Sequence, residues 1–179
     1  MLKASQITKL ICLLALLPPV GNAQQNCKTG SITATTPTSR FTRYSNGTVL
    51  DKYTGLMWKI CREGQKWNAL SHACDFNADI YTWHQALRAV EALNIKGGFA
   101  NYKDWRVPNI KELRTLIERQ CNPPINLQVF PGGSDYTSWT SSPYFFDGQF
   151  MWYVSFDNGR NALIDKDSKL SIRLVRDGQ

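Results

Sequence analysis

The chain has 179 residues, 42% of them apolar and 20% charged, a balance that supports one folded domain and excludes a disordered polymer. Its 21 Lys and Arg outnumber 14 Asp and Glu for a net charge of +7, alongside a heavy aromatic load of six Trp, seven Tyr and eight Phe. That charge is a property of regions: residues 28–66 carry Lys28, Arg40, Arg43, Lys52, Lys59, Arg62 and Lys66 against Asp51 and Glu63 alone. The rest of the chain beyond its first 23 residues is close to neutral, which disfavours nucleic acid as a partner.

Taken from the start, residues 1–23 read as a signal peptide. Lys3 and Lys9 precede the apolar run Leu10 to Leu17, and Gly21-Asn22-Ala23 supplies a small-x-small cleavage site before Gln24. The run is far shorter than the roughly 20 residues a bilayer span needs, so export to the periplasm, cell surface or medium is expected, with no membrane span. Residues 24–39 form a polar N-terminal extension, tied down if at all by Cys27. Phe41 to Ile60 reads as a hairpin region around Ser45-Asn46-Gly47 and Thr54-Gly55. Residues 61–81 read as an irregular polar loop.

Two helices are predicted next. One opens at Thr82 with Gln85 three residues on, a capping box, and places Trp83, Ala86, Leu87, Val90 and Leu93 on one face before Gly97-Gly98. The second opens at Asn109 with Glu112, presents Ile110, Leu113, Leu116 and Ile117 to the core, and brings Cys121 near its end. Residues 122–136 are a proline-rich loop. Strands follow at Tyr136–Ser141, Phe150–Phe156, Arg160–Ile164 and Leu170–Arg176, expected as one antiparallel meander turned at Asp157-Asn158-Gly159. Strands, two helices and more strands make an α+β domain.

Beyond the signal segment stand Cys27, Cys61, Cys74 and Cys121. An even count in an exported chain implies two disulfides with three possible connectivities. We favour Cys61–Cys74 with Cys27–Cys121, each stabilising by roughly 3 to 5 kcal/mol in the loop-entropy model. No metal is expected, because His72-Ala73-Cys74 lacks zinc spacing. Asp157-Asn158, Asp165 and Asp167 form the only dense oxygen group and read as turn residues, not calcium ligands.

An ordered set of motifs carries a resemblance. These are Arg40-Phe41-Thr42, Asn46-Gly47-Thr48-Val49, Thr54-Gly55-Leu56-Met57-Trp58 and the run Asp104-Trp105-Arg106-Val107-Pro108-Asn109 to Leu113. Trp139-Thr140-Ser141-Ser142, Trp152-Tyr153-Val154-Ser155-Phe156 and Ile172-Arg173-Leu174-Val175-Arg176 complete it. Together they resemble the Lcl C-terminal domain family, named after the C-terminal domain of the Legionella collagen-like adhesin, over residues 40–179. The resemblance implies a C-type-lectin-like fold, two helices on antiparallel sheet, related to that of sulfatase-modifying enzymes. It also implies a role in adhesion through sulfated glycosaminoglycans, although no Gly-x-x collagen repeat precedes the domain here.

The residues themselves suit a secreted binding module for an extracellular glycan or other polyanion, with Arg40, Arg43, Lys52, Lys59, Arg62 and Lys66 as candidate contacts. Trp58, Trp105, Trp139 and Trp152 read as packing residues, and Asp104 and Arg106 as internally paired charges. The alternative is a structural component that contacts an envelope protein. An enzyme akin to the sulfatase-modifying oxidases is less favoured, because no nucleophile elbow, zinc-binding helix or phosphate loop is present. No cofactor is expected, and oligomeric state stays open.

Overall fold

The structure is a computed structural model that describes residues 25–132 and 136–178. The expected signal peptide lies outside the described residues. Strand β1 (Asn26–Cys27) opens the chain, and a 3-10 turn at Thr38–Arg40 leads into β2 (Phe41–Arg43), β3 (Thr48–Asp51) and β4 (Leu56–Lys59), an antiparallel meander. Asn46 shapes its first turn by accepting from the Thr48 amide at 3.1 Å and hydroxyl at 2.7 Å, the local bonding that makes Asn a turn former.

Residues 61–81 are more regular than the polar composition suggests. They contain a small hairpin of β5 (Lys66–Asn68) and β6 (Ala73–Asp75), with Trp67 opposite Cys74. Asn68 closes it by accepting from the amides of Leu70 and Ser71. Helix α1 (Trp83–Ile95) follows, with both halves of the Thr82/Gln85 capping box formed and Ala86 and Val90 buried. Gly98 ends it with φ +77 and an amide bonded to Leu93 O at 2.9 Å. A Cβ at this position would lie 1.8 Å from Tyr102 O, so only glycine fits.

Helix α2 (Ile110–Arg114) has the expected Asn109/Glu112 box but is only one turn and a half long. Leu116 still reaches the core through the following turns. Cys121 therefore sits on a strand, β7 (Cys121–Asn122), which pairs with β1. The proline-rich stretch after it is a loop in path but not in burial: Ile125, Val129 and Phe130 are core residues.

Strands β8 (Thr137–Pro143), β9 (Phe150–Ser155) and β10 (Asn161–Asp165) form a three-stranded antiparallel sheet in the order β10-β9-β8. The predicted fourth strand of this meander is elsewhere. Strand β11 (Val175–Asp177) pairs with β4, giving the other sheet the order β11-β4-β3-β2. The reason lies in the residues leading to it, since Ser171 through Arg176 are all buried and serve both sheets. Ser171 bridges Ser138 of β8, while Leu174 O accepts from Lys59 N–H at 3.0 Å.

Two hydrophobic clusters flank this spine. One gathers Trp58, Leu113, Leu116, Ile125, Phe130, Val154 and Phe156, and the other Ala86, Val90, Trp105, Trp139, Ile172 and Leu174. The cysteines pair as Cys27–Cys121 and Cys61–Cys74, closing loops of 94 and 13 residues' separation. The result is a small α+β domain with antiparallel sheets. Among the described residues no helix is long and apolar enough to cross a membrane.

Candidate functional site

The six cations expected to face a polyanion divide into three kinds. Arg40 and Lys59 are committed to carboxylates of the fold. Arg40 grips the buried Asp51 with Nε 2.6 Å from Oδ1 and a second contact from its NH2 group. Lys59, also buried, pairs with Glu63 at 2.8 Å and lies 4.7 Å from the Phe99 ring centre. These are corrections to a uniform basic surface, and the cause is electrostatic: a carboxylate taken out of water needs a cation. Burial alone would raise the Asp51 pKa, but bonds from Arg40, Thr54 and the Tyr53 amide hold it below the ordinary value.

Arg62 is half-buried, donating to Gly132 O at 2.7 Å with its guanidinium 4.2 Å from the Tyr136 ring centre. Arg43, Lys52 and Lys66 are exposed. Arg43 donates to Gln128 O and lies 5.8 Å from the Trp67 ring centre, on which His72 stacks. Lys52 and Lys66 have no ion pair among the described residues.

Two of the expected residues do meet at one depression. Thr35, Pro37, Arg40, Lys52 and Tyr53 line a largely apolar groove of about 570 Å³. Tyr53 is 82% exposed, and the Arg40 guanidinium lies 5.0 Å from its ring centre. Since Asp51 fixes Arg40, and also accepts from the Tyr53 amide at 3.0 Å, the ring is held from beneath while its outer face is open. Lys52 stands beside it, its ammonium without an ion pair among the described residues.

The far wall of the groove is the N-terminal segment, which composition marks only as polar. Glu118, 3% exposed, holds it down. Its carboxylate accepts from the amides of Thr35 at 3.0 Å and Thr36 at 2.7 Å, from both their hydroxyls, and from Gln120 N at 2.9 Å. Burial pushes this carboxyl up, but the accumulated donors win and its pKa falls below the ordinary value. Asn126 adds a bond to Thr36 O at 2.8 Å. Neither Tyr53 nor Glu118 is found by reading charge along the sequence; Tyr53 stands out only as an aromatic beside a lysine in a turn.

The family-motif residues lie in the interior and its rim. Trp58, Trp105 and Trp139 are buried and Trp152 half-buried. Asp104 pairs with Arg176 at 2.8 Å, and Arg106 takes both oxygens of Glu112 and one of Asp177. Arg173 is fully buried, donating to Lys59 O, Ile60 O and the Tyr136 hydroxyl. The acid group weighed for calcium is split: Asp157 and Asn158 lie in the turn before β10, and Asp165 ends that strand and binds Gln149 and the Asp167 amide. No cluster of three or more His, Cys, Asp or Glu able to hold a metal occurs among the described residues.

Trp58, Trp105, Arg173 and Arg176 all fall within one span, residues 47–176, which the pattern of the Lcl C-terminal domain matches. The chain belongs to the Lcl C-terminal domain family. No curated protein matches it. In this Lcl C-terminal domain the matched span includes Tyr53, Lys52 and Glu118, whereas Thr35, Pro37 and Arg40 of the groove precede it.

Proposed function

We propose that this adhesin-related domain is an exported, C-type-lectin-like module that binds a sulfated glycan in the groove of Tyr53, Lys52 and Pro37. The observation that carries the reading is the supported Tyr53 ring beside a lysine that has no ion pair among the described residues. A rigid aromatic face offers contact to the C–H face of a sugar at little entropic cost, and an ammonium binds a sulfate by a charge-assisted hydrogen bond. Arg43 and Lys66 extend the basic surface, while Arg40 acts from below as a positioning residue. The lectin-like reading draws on the return of β11 to β4, which brings the two ends of the matched domain into one sheet. Export is supported by two disulfides and the signal-like N-terminus.

The test is a salt titration of the protein against a sulfated glycosaminoglycan, with a neutral glycan as control. Saturable binding to the sulfated polymer that weakens sharply between low and physiological salt is expected. Tyr53→Ala and Lys52→Gln should each weaken it by about tenfold, on the scale of one stacking contact or one charged bond. Equal binding of the neutral polymer, or unchanged affinity in both variants, overturns the reading.

A protein-binding role is favoured by one other feature. In the turn between β8 and β9, Phe145 and Phe146 are 90% and 80% exposed and pack edge to face at 5.1 Å. Exposed aromatics of this kind are typical anchors of protein interfaces. Phe145→Ser with Phe146→Ser would abolish capture of an envelope protein while leaving glycan binding intact.

A further inference from the structure

A second concavity, of about 330 Å³, opens where the end of α2, the β1–β7 ladder and the β9–β10 turn converge. Arg114 and Arg119 line it, both exposed, and neither guanidinium has a hydrogen bond or ion pair among the described residues. The nearby Glu118 does not neutralise them by contact, because its oxygens are taken by Thr35, Thr36 and Gln120. Two arginines thus face one pocket with their donors free.

The remaining walls are of mixed character. Ile117 and Pro124 give an apolar side, and Asn122 and Asn158 bring amide groups to the rim. Asn158 uses its carbonyl oxygen on the Arg160 amide, which leaves its NH2 to donate outward. The walls are also fixed in place. Cys121 is held by the disulfide to Cys27, and the β9–β10 turn lies against Pro124 through Gly159. Gly159 has φ +72, and a Cβ on it would lie 3.3 Å from Pro124, so the glycine both permits the turn and keeps that side of the pocket open.

From this convergence we infer a carboxylated-saccharide site: a uronate ring with its carboxylate on Arg114 and Arg119, its hydroxyls at Asn122 and Asn158 and its ring face on Ile117 and Pro124. A guanidinium fork matches the two oxygens of a carboxylate. The volume is at the lower end of small-molecule pockets, suited to a single ring. This pocket shares no lining residue with the Tyr53 groove, and the inference stands whether or not that groove binds glycan.

The experiment is an amide chemical-shift titration of the protein with glucuronate, glucose and acetate. Glucuronate is expected to shift the amides of residues 117–124 and 158–159, with an affinity at least tenfold above that of glucose or acetate. Arg114→Gln and Arg119→Gln should each reduce it by about tenfold, and Lys52→Gln should leave it unchanged. Acetate binding as well as glucuronate would reduce the pocket to a bare anion site, and glucose binding as well would remove the role of the arginines; either outcome overturns the inference. So does loss of glucuronate binding in Lys52→Gln, which would place the sugar in the other groove.

Discussion

The arginines around the C-terminal spine and the cations of the exposed surface carry the same charge to opposite ends. Around the spine, Arg176 and Arg106 meet Asp104, Glu112 and Asp177, and Arg173 is sheathed by carbonyls and aromatic rings. At the surface, Lys52, Lys66, Arg114 and Arg119 have no acidic partner among the described residues. A buried cation must find its acceptors within the fold, whereas an exposed one is solvated and free to take a ligand. The count of basic residues is therefore a poor guide to a binding surface until each cation is assigned to one class.

The hardest test of this division is Arg173. Replacing it with Ala removes a fully buried side chain and strands the carbonyls of Lys59 and Ile60 and the Tyr136 hydroxyl. A loss of roughly 3 to 5 kcal/mol in urea unfolding is expected from the cavity and the unsatisfied acceptors. Arg173→Met, which keeps most of the stem, should recover part of it. A loss below about 1 kcal/mol would mean that the spine's charge is incidental to stability.

A milder contrast sits between neighbours in the chain. Asp51→Ala takes the carboxylate from Arg40, leaving its guanidinium the bond to Thr35 O, and releases the Tyr53 amide and Thr54 hydroxyl. A cost of about 3 kcal/mol is expected, the lower end for a broken buried pair because Arg40 keeps slight solvent access. Lys52→Ala, one residue away, should stay within about 0.5 kcal/mol of the parent. Similar losses in both would erase the distinction between committed and free charge.

The same contrast shows what was legible beforehand. Both capping boxes, at Thr82/Gln85 and Asn109/Glu112, are local patterns whose partners lie three residues apart, and both formed. So did the turns at Asn46-Gly47 and Asp157-Asn158-Gly159, for the same reason. The place of β11 was not legible, because alternation marks a strand without naming its neighbour, and residues 170–176 suit either sheet. The basic quarter misled in a particular way. Its only two acids, Asp51 and Glu63, are the ones that capture Arg40 and Lys59, and nothing in the sequence marks which of seven cations they choose. The groove's far wall escaped notice because Glu118 binds Thr35 and Thr36 across more than 80 positions.

That clamp supplies the smallest and most specific effect. Glu118 has a folded pKa below its ordinary value of 4.5, so the unfolded chain takes up the proton first as the solution is acidified. Its stabilising contribution is therefore complete above about pH 5 and disappears as the pH falls through the folded value. Glu118→Gln presents an amide donor to a cage of donors and should cost about 1 to 3 kcal/mol at pH 7. Because the variant has no carboxyl to protonate, the gap between it and the parent should narrow as the pH falls below about 5 and close once it has passed through the lowered folded value. Amide exchange at Thr35 and Thr36 is the local readout: fast in the variant at neutral pH, and fast in the parent only in acid. A gap that stays constant with pH would assign the cost of Glu118→Gln to packing. A gap that closes while Arg173→Ala is equally destabilising at every pH would show that the groove wall is held by a titratable clamp and Arg173 by backbone carbonyls, which do not titrate.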